Sequence, residues 1–392
     1  MRVLMVNHTG NFSGAEVALL RLIDGLDGGC ECAVACPASG PLPDRLRAAG
    51  IEQHEITGTD ASLHLHAVKT PKALAMLIRS AREVRTIANE IDPDVIHANG
   101  LRSGLIASLT PWRKRPPLVV QSHEHLPPGL VGRVVRRVIA ARADKVIGVT
   151  ERTAANFNHG LAQPIAEAVY ISIDQKRFHP GSNSPSGVRA ELGVPEQAFL
   201  LAQVAQITPW KGQDVAIRAL REVSLAKPHR EVHLLLVGEV EFESARYDNP
   251  GYAAELRRLV SEFQLQARVH FLGRRDDVPT IMDAADLTLL PSWNEPFGLV
   301  AAESMGMATP VLVSSESGVS EYVEDGVSGR LLPAGEPQSW AEAILDLMQR
   351  SPDQLAAMGE RARQVAERFT DERYARDVRG VYRDAVLAAS KG

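Results

Sequence analysis

Residues 287–313 read LTLLPSWNEPFGLVAAESMGMATPVLV, and their pattern of apolar residues predicts the fold class. The apolar run Leu287 to Leu290 predicts a buried strand, Val300 to Met307 a helix, and Thr309 to Val313 a second strand. Strands this apolar are covered on both faces, and a helix between two of them makes them parallel. The stretch therefore predicts one βαβ unit of a doubly wound α/β domain.

The same alternation of short apolar strands and amphipathic helices continues outward from this unit, in two blocks. The chain has 392 residues, beyond the roughly 250–300 at which a single core stops growing, so two domains are expected. The other predicted strands are Val3 to Val6, Val34 to Cys36, Asp94 to His97, Leu118 to Gln121, Val146 to Val149, Phe199 to Val204, Val232 to Val237 and Val269 to Leu272. The other predicted helices include Ala15 to Leu26, Pro43 to Ala49, Ala73 to Ile91, Asp214 to Lys227, Tyr252 to Phe263, Ser339 to Gln349, Pro352 to Arg368 and Asp371 to Ala389.

A run of turn formers separates the two blocks. Residues 181–187 read GSNSPSG and contain no apolar anchor, which is typical of a linker. The expected division is therefore into residues 1–180 and 181–372, each a Rossmann-like doubly wound domain. Sheets of this kind bind ligands in the crevice beyond the carboxyl ends of their strands.

Composition narrows the class of partner. The net charge of −5, with 45% hydrophobic and 23% charged residues, is typical of a globular protein and argues against broad nucleic-acid binding. A local basic cluster interrupts this pattern. It is either a solvated surface or a patch for acidic lipid or an anionic acceptor, and so allows peripheral membrane contact. The cluster comprises Arg113, Lys114, Arg115, Arg133, Arg136 and Arg137.

The apolar runs and the cysteines of the sequence indicate where the protein is located. The apolar run within Met1 to His8 is too short for a signal peptide, and no run of about eighteen apolar residues occurs. The three cysteines Cys30, Cys32 and Cys36 are an odd number and predict no disulfide framework. These features predict a cytoplasmic protein.

Two common nucleotide motifs are missing. No Gly-x-Gly-x-x-Gly follows the first strand, and no Gly-rich loop ends in Gly-Lys-Ser/Thr, which disfavours nicotinamide dehydrogenases and P-loop enzymes. The first turn instead carries Gly14 at the start of a helix. This glycine either lets the backbone approach a ligand closely or simply forms a turn.

The most informative chemistry lies between Glu295 and Glu303. Pro296 suits helix entry, and the backbone N–H groups at the start of the helix would form an anion site strengthened by the helix dipole. Two carboxylates flanking that site could hold hydroxyls on either side of a diphosphate, although Glu303 could instead face solvent. The N–H groups concerned are those of Phe297, Gly298, Leu299 and Val300.

This pair of glutamates resembles the donor-site motif of family 4 of the retaining glycosyltransferases. The fold of that family, GT-B, has two Rossmann-like domains facing each other across a cleft. Further segments are similar to family motifs and follow the same order along almost the whole chain. They are Ser13 to Glu16, Asp94 to Ala98, His123-Glu124, Phe178 to Pro180 at the end of an interdomain strand, Pro209 to Gly212, Leu235 to Gly238, and Glu321 with Gly326 and Gly329.

The resemblance implies a donor, a reaction and a set of site residues. A nucleoside-diphosphate sugar would transfer its sugar with retention, without a metal or other cofactor, to a small-molecule, glycan or lipid acceptor. Lys211 would pair with the diphosphate, His123 would contact the donor sugar, and Glu295 would hold sugar hydroxyls. Glu303 would bind the ribose, and the helix from Asp371, with residues 373–392, would return to the first domain. The remaining donor-binding residues implied are Gly14, Gln206, Gly212, Gly238, Arg274 and the Phe297–Val300 turn.

The chain departs from the family pattern at three places. Gln206 stands where the family usually has an arginine, so a second cation for the diphosphate would have to come from Arg274 or elsewhere. Ile171-Ser172 replaces the usual Asn-Gly, and Glu124 replaces the aspartate after His123. The only Asp-x-Asp, Asp92-Pro93-Asp94, introduces a strand and is interpreted as structural.

Two other classes of protein remain open at this point. One is another nucleotide-sugar enzyme on the same scaffold, such as a 2-epimerase, and the other is a non-catalytic sugar-binding protein. An acceptor site could involve residues 57–70 with His64 and His66, or these residues could form a plain loop.

Overall fold

The computed structural model describes residues 1–59, 69–112, 115–181, 186–240 and 247–390. It divides into two compact units, Met1–Ser172 with Thr370–Gly392, and Ile173–Phe369. Across these described ranges no helix is both long and apolar enough to cross a bilayer. The stretch around His64 and His66, Arg113 with Lys114, and most of the predicted linker lie outside the described residues.

The first unit is built on a sheet of seven parallel strands in the order β3-β2-β1-β4-β5-β6-β7. The strand order reverses between β1 and β4, which makes this the switch point of a doubly wound sheet. Buried aliphatic side chains on one face of the sheet form a core with the helices that cover that face. The strands are β1 Arg2–Val6, β2 Glu31–Cys36, β3 Glu52–Glu55, β4 Val95–Asn99, β5 Leu118–Ser122, β6 Lys145–Gly148 and β7 Ala166–Ala168.

The second unit is built on six parallel strands in the order β10-β9-β8-β11-β12-β13, with its switch point between β8 and β11. Trp340 and aliphatic residues of the flanking helices pack on this sheet. The fold class expected from the sequence, α/β with two doubly wound Rossmann-like sheets, is confirmed. The strands are β8 Phe199–Val204, β9 Val232–Val237, β10 Val269–Gly273, β11 Leu287–Leu290, β12 Val311–Ser314 and β13 Gly329–Leu332.

Helices cover both faces of each sheet, as parallel sheets require. They are α1 Gly14–Leu26, α2 Pro41–Ala48, α3 Lys69–Ile91, α4 Leu101–Leu109, α5 Leu130–Ala140, α6 Glu151–Asn158, α7 Ser186–Glu191, α8 Gln213–Ala226, α9 Asn249–Glu262, α10 Val278–Ala284, α11 Leu299–Gly306, α12 Pro337–Leu347, α13 Pro352–Ala366 and α14 Asp371–Ala389.

The second unit begins earlier in the chain than the boundary expected at residues 180 and 181. The N–H of Ile173 donates to the carbonyl of Phe369 at 3.1 Å, and Phe178 packs with Met282 and Met307. These contacts tie residues 173–178 to the second unit. Phe178 to Pro180 also form no strand, contrary to the resemblance, because the N–H groups of Arg177 and Phe178 both donate to the Asp174 carbonyl in a tight turn.

Helix α14 packs in the first unit, although it follows the second unit in sequence. The Tyr374 hydroxyl and the Gln121 amide lie 2.7 Å apart, and the Tyr382 hydroxyl lies 2.9 Å from His97 Nδ1. Gly25 of α1 lies so close to the first turn of α14 that a Cβ there would be 2.7 Å from the Asp371 carbonyl oxygen. The apolar side of α14 seen in the sequence is thus buried on its own unit's sheet and on α1.

Candidate functional site

The carboxyl ends of the second sheet collect most of the residues that the sequence predicts for the site. Since all six strands are parallel, the loops that follow them emerge at one edge of the sheet. Arg274 follows β10, Gly238 follows β9, Gln206 follows β8, and Glu295 lies in the loop after β11. The strand order places these four loops side by side in that sequence.

Lys211 lies in the loop between β8 and α8, at the end of a short 3-10 helix, Pro209–Lys211. Its carbonyl accepts a hydrogen bond from the buried Gln203 amide at 2.8 Å. Gly212, which follows, has φ +68°, and a Cβ there would lie 2.5 Å from the carbonyl oxygen of Pro291. Only glycine therefore lets this loop pack directly on the loop after β11.

The Lys211 ammonium pairs with the Glu295 carboxylate at 2.5 Å. The two side chains are only 16% and 13% exposed, so this pair is shielded from water far more than a surface ion pair. The ammonium also lies 4.0 Å from the centre of the Trp210 ring, a favourable cation–π distance. Both charged residues are predicted for the site from the sequence, and the structure brings them into direct contact.

A left-handed turn at Gly298 starts helix α11. Gly298 has φ +80°, and a Cβ there would lie 2.3 Å from the Val319 side chain. The Tyr322 hydroxyl donates to the carbonyl of Phe297 at 2.7 Å, and the Gly318 N–H donates to the carbonyl of Glu295 at 2.7 Å. The turn is therefore held by glycine geometry and by two bonds from a distant segment.

The first N–H groups of α11 point out of the helix without intrahelical acceptors, as at any helix start. Within the described part of the chain, no hydrogen bond uses the N–H groups of Gly298, Leu299 or Val300, whereas the Ala301 N–H already donates to the Gly298 carbonyl. These three N–H groups follow closely after Glu295, the partner of Lys211. They can donate hydrogen bonds to a bound anion.

The other two predicted residues of this segment differ in character. The Phe297 ring is buried and packs against Tyr322 and Phe369, with ring centres 5.4 and 5.3 Å away, so its side chain is part of the core. Glu303 lies in the second turn of α11 and is half-buried.

Glu316, after β12, is a carboxylate of this edge that the sequence analysis missed. Its oxygen accepts hydrogen bonds from the Ser314 hydroxyl and the Ala334 N–H, both at 2.9 Å. Burial alone would raise the pKa of Glu316, but these hydrogen bonds lower it overall. The run Ser314-Ser315-Glu316-Ser317 directly after an apolar strand was the available signal.

Gln206, Gly238 and Arg274 meet at one corner of the same edge. The Gly238 N–H donates to the Gly273 carbonyl at 2.8 Å, which holds the backbone next to Arg274. With φ +133° and a Cβ position 2.0 Å from the Ala205 carbonyl oxygen, Gly238 packs against the chain just before Gln206. Arg274 is exposed, and no acidic side chain among the described residues pairs with it.

Gly14 and His123 lie in the first unit and are linked by buried polar side chains. Gly14 is the first residue of α1, and the Glu16 carboxylate accepts from the N–H and hydroxyl of Ser13 at 3.0 and 2.7 Å. His123 follows β5, and its Nε2 lies 2.7 Å from Asn99 Oδ1. Burial lowers the pKa of His123 to about 4, so the ring is neutral at pH 7.

Glu124, the residue in place of the family's aspartate, pairs with Arg102 at 2.9 Å. Its carboxylate is therefore engaged within the first unit. Within the described ranges, no cluster of three or more histidine, cysteine, aspartate or glutamate side chains could hold a metal ion.

Two family descriptions match the chain, one for each unit. "Glycosyl transferase 4-like domain" matches residues 13–172, and "Glycosyl transferases group 1" matches residues 187–365.

Two proteins named as glycosyltransferases and one solved structure are similar to the chain. D-inositol 3-phosphate glycosyltransferase of Saccharomonospora viridis is 30% identical over 75% of this chain and 71% of its own length. The protein of that name from Corynebacterium kroppenstedtii is 31% identical over 65% of this chain. The matched region spans 56% of the length of that relative. Anabaena HepE in complex with UDP-glucose superposes with a TM-score of 0.82 at 25% identity, over 97% of this chain and 99% of that one. With both units and these relatives in agreement, the chain belongs to the group 1, family 4-like glycosyltransferases of the GT-B fold.

Proposed function

We propose that the chain transfers a hexosyl or N-acetylhexosaminyl group from a nucleoside-diphosphate sugar to an acceptor hydroxyl, with retention and without a metal. The observation that carries this proposal is the shielded pair of Lys211 and Glu295 beside three unused N–H groups, at the carboxyl edge of the second sheet. Negative charge develops on the leaving diphosphate during transfer. Cations and N–H groups that already face the bound diphosphate stabilise such charge as it develops.

Donor binding would exchange the partners of this ion pair. A diphosphate beside the N–H groups of Gly298 to Val300 would attract the Lys211 ammonium, which is a flexible point charge. Glu295 would then be released to accept hydrogen bonds from sugar hydroxyls, and Glu303 would do the same for the ribose. His123 of the first unit would contact the sugar, as the resemblance implies.

Arg274 would supply the second cation that Gln206 cannot. It shares its corner of the sheet with Gln206 and has an exposed guanidinium without an acidic partner in the described residues. Arginine also binds phosphate oxygens in a bidentate geometry that lysine cannot offer.

The base of the donor is proposed to be uracil. HepE, which covers nearly the whole chain at 25% identity, is described in complex with UDP-glucose and with UDP. A screen of sugar nucleotides by thermal shift tests this directly, because a ligand at a hundred times its Kd adds about 2.7 kcal/mol to stability. No shift with any UDP-sugar would remove the donor assignment.

The catalytic assignment is tested by replacing Lys211 with alanine. Loss of one fixed group that stabilises the transition state costs about 10²–10³ in turnover in comparable sites. Lys227→Ala changes an exposed lysine at the end of α8 in the same unit and is the matched control. Full turnover in Lys211→Ala would show that the cation is not part of the machinery, and proton NMR of the product reports retention.

Two alternatives lead to different observations in the same assays. A 2-epimerase-like enzyme would convert the nucleotide sugar itself without any acceptor. A non-catalytic sugar-binding protein would show a thermal shift but no consumption of donor. Transfer that depends on added acceptor favours the proposal over both.

The acceptor is proposed to be a small molecule, a glycan or a lipid, and helix α5 favours contact with an anionic membrane surface. Its outer face carries the exposed side chains of Leu130 and Val134, which are 63% and 49% exposed. Arg133 and Arg137 flank them, and no acidic side chain among the described residues pairs with either. Exposed aliphatic groups bordered by cations match the boundary between acyl chains and acidic headgroups.

Flotation with vesicles tests this contact. Binding is expected with vesicles that contain phosphatidylglycerol and not with pure phosphatidylcholine, and the double change Arg133→Gln and Arg137→Gln should abolish it. Arg258→Gln, on α9 of the second unit, is the control and should leave binding unchanged. Equal binding to both kinds of vesicle, or none, would contradict the proposal.

A further inference from the structure

A chain of buried polar side chains runs from helix α1 to His123. His123 Nε2 lies 2.7 Å from Asn99 Oδ1, and Asn99 Nδ2 lies 2.9 Å from Asn7 Oδ1. Asn7 Nδ2 in turn lies 3.2 Å from Glu16 Oε1. The two asparagines and the glutamate are at most 2% exposed, so water does not compete for these bonds.

The direction of each bond in this chain is fixed by backbone carbonyl oxygens. Asn99 Nδ2 also lies 3.2 Å from the carbonyl oxygen of Ala15, and Asn7 Nδ2 lies 2.8 Å from that of Thr9. A carbonyl oxygen only accepts, so the amide nitrogens must face these atoms and cannot be exchanged with the amide oxygens. Asn99 Oδ1 therefore faces His123 and can only accept from it.

We infer that Asn99 and Asn7 are positioning residues that hold His123 in one tautomer, with the proton on Nε2 and none on Nδ1. The imidazole then presents Nδ1 as a hydrogen-bond acceptor, and no group among the described residues occupies that atom. Resting on the proposed function, in which His123 contacts the donor sugar, Nδ1 accepts a hydrogen bond from a sugar hydroxyl and cannot donate one.

The far end of the chain anchors it to the first turn of α1. The Glu16 carboxylate accepts from Ser13 through both the N–H and the hydroxyl, so its position is set by the helix start itself. Burial, which lowers the pKa of His123, removes the doubly protonated ring as an alternative at pH 7. The glycine turn at Gly14 and the histidine after β5 are thus parts of one hydrogen-bonded assembly.

Nitrogen NMR of histidine in the free protein tests the tautomer. The protein is labelled with 15N-histidine, and His123 is assigned by the loss of its signals in His123→Asn. At pH 7 a protonated Nε2 and an unprotonated Nδ1 are expected. A proton on Nδ1, or averaged shifts from a mixture of tautomers, would overturn the inference.

Variants of Asn99 separate positioning from mere packing. Asn99→Leu removes the acceptor, so the Nδ1–H form should appear. The kcat should fall by about tenfold or more, which is the loss typical when the partner that orients a metal-bound histidine is removed. Asn99→Asp keeps an acceptor facing Nε2 and should keep a proton there, while its second oxygen replaces the amide that donates to Asn7 and Ala15. Ser103→Ala, which removes the bond from the Ser103 hydroxyl to the Asn99 carbonyl, should leave the tautomer unchanged.

The two readouts keep this inference apart from the proposed function. If the tautomer is as expected but no sugar is transferred, the function fails and the positioning of His123 stands. If sugar is transferred while His123 carries its proton on Nδ1, the function stands and the positioning role fails.

Discussion

Gly298 shows how one residue sets the geometry of the candidate anion site. Its left-handed backbone and the nearby Val319 side chain exclude any Cβ. Gly298→Ala is therefore expected to lower the free energy of unfolding by about 1–3 kcal/mol and to weaken UDP binding, because the N–H groups of the turn must move. Urea unfolding and calorimetry measure the two effects.

Gly326→Ala is the matched control for this change. Gly326 has nearly the same φ, +76°, but nothing lies within 4 Å of its Cβ position. Its replacement carries only the cost of backbone strain, about 1 kcal/mol, and should leave UDP binding intact. Equal effects of the two alanines on binding would contradict a special role for the Gly298 turn.

Moving the positive charge from residue 274 to residue 206 tests whether Arg274 is the second cation for the diphosphate. A hydrogen bond to a charged group contributes about 1.5–3 kcal/mol, so Arg274→Gln should weaken UDP binding by about 10- to 100-fold. Adding Gln206→Arg, which restores the family's usual cation, should recover much of that loss. Calorimetric titration gives both values, and an unchanged Kd in Arg274→Gln would eliminate this residue as the second cation.

The sequence was sufficient to predict site residues whose role depends on residues close to them along the chain. Glu295, Gly298 and Glu303 were predicted because proline and glycine mark a helix start between them. Glu316 and Gln203 were not found, since their roles depend on contacts with segments distant in sequence. Whether the predicted donor residues bind a sugar nucleotide stays a prediction.

At the scale of elements, helix α14 is held by buried polar contacts that can be broken one at a time. Tyr382→Phe keeps the ring but removes the hydroxyl from His97 Nδ1, leaving that buried nitrogen unsatisfied. A loss of about 1–3 kcal/mol in unfolding free energy is expected. Leu387→Ala, at a 57% exposed position on the same helix, should change it little.

Helix α14 was predicted with its observed ends because its apolar positions follow a helical period, and the structure adds a cap at Thr370. Strand β3, with the sequence Glu-Gln-His-Glu, was missed because an edge strand needs no apolar run. The strand end expected at Phe178 to Pro180 was wrong because the Asp174 carbonyl accepts from nearby N–H groups and closes a local turn there. Periodicity reports burial, and strand β3 has no buried residue.

For the whole molecule, acid should weaken the first unit through its buried histidines. Burial lowers the pKa of His8 and His97 to about 3 and that of His123 to about 4. The unfolded chain takes up these protons near pH 6.5 while the folded chain does not, so stability is full above that pH. It falls by about 1.4 kcal/mol per histidine and pH unit as the pH drops from about 6.5 towards 4.

Urea unfolding between pH 7.5 and 5 measures this slope. His97→Gln removes one of the three histidines and should reduce the slope by about one proton. A slope identical to that of the unchanged protein would mean that His97 is protonated in the folded state.

Sequence alone was sufficient for the two-domain class, because βαβ alternation and ordered motifs cover both halves of the chain. It did not place the division of the chain at Ser172, since the contacts of Ile173 and Phe178 with the second unit are long-range. Lys211 rested mainly on resemblance in the sequence, and the structure gives it a physical context of its own through Glu295 and Trp210.

We propose that the carboxyl edge of the second sheet binds the diphosphate of the donor. A crystal structure of the protein grown with UDP tests it most directly. We expect phosphate oxygens within hydrogen-bonding distance of the Gly298 to Val300 N–H groups and of Lys211 Nζ, with Glu295 released from the lysine. A diphosphate bound elsewhere, with the Lys211–Glu295 pair intact, would contradict it.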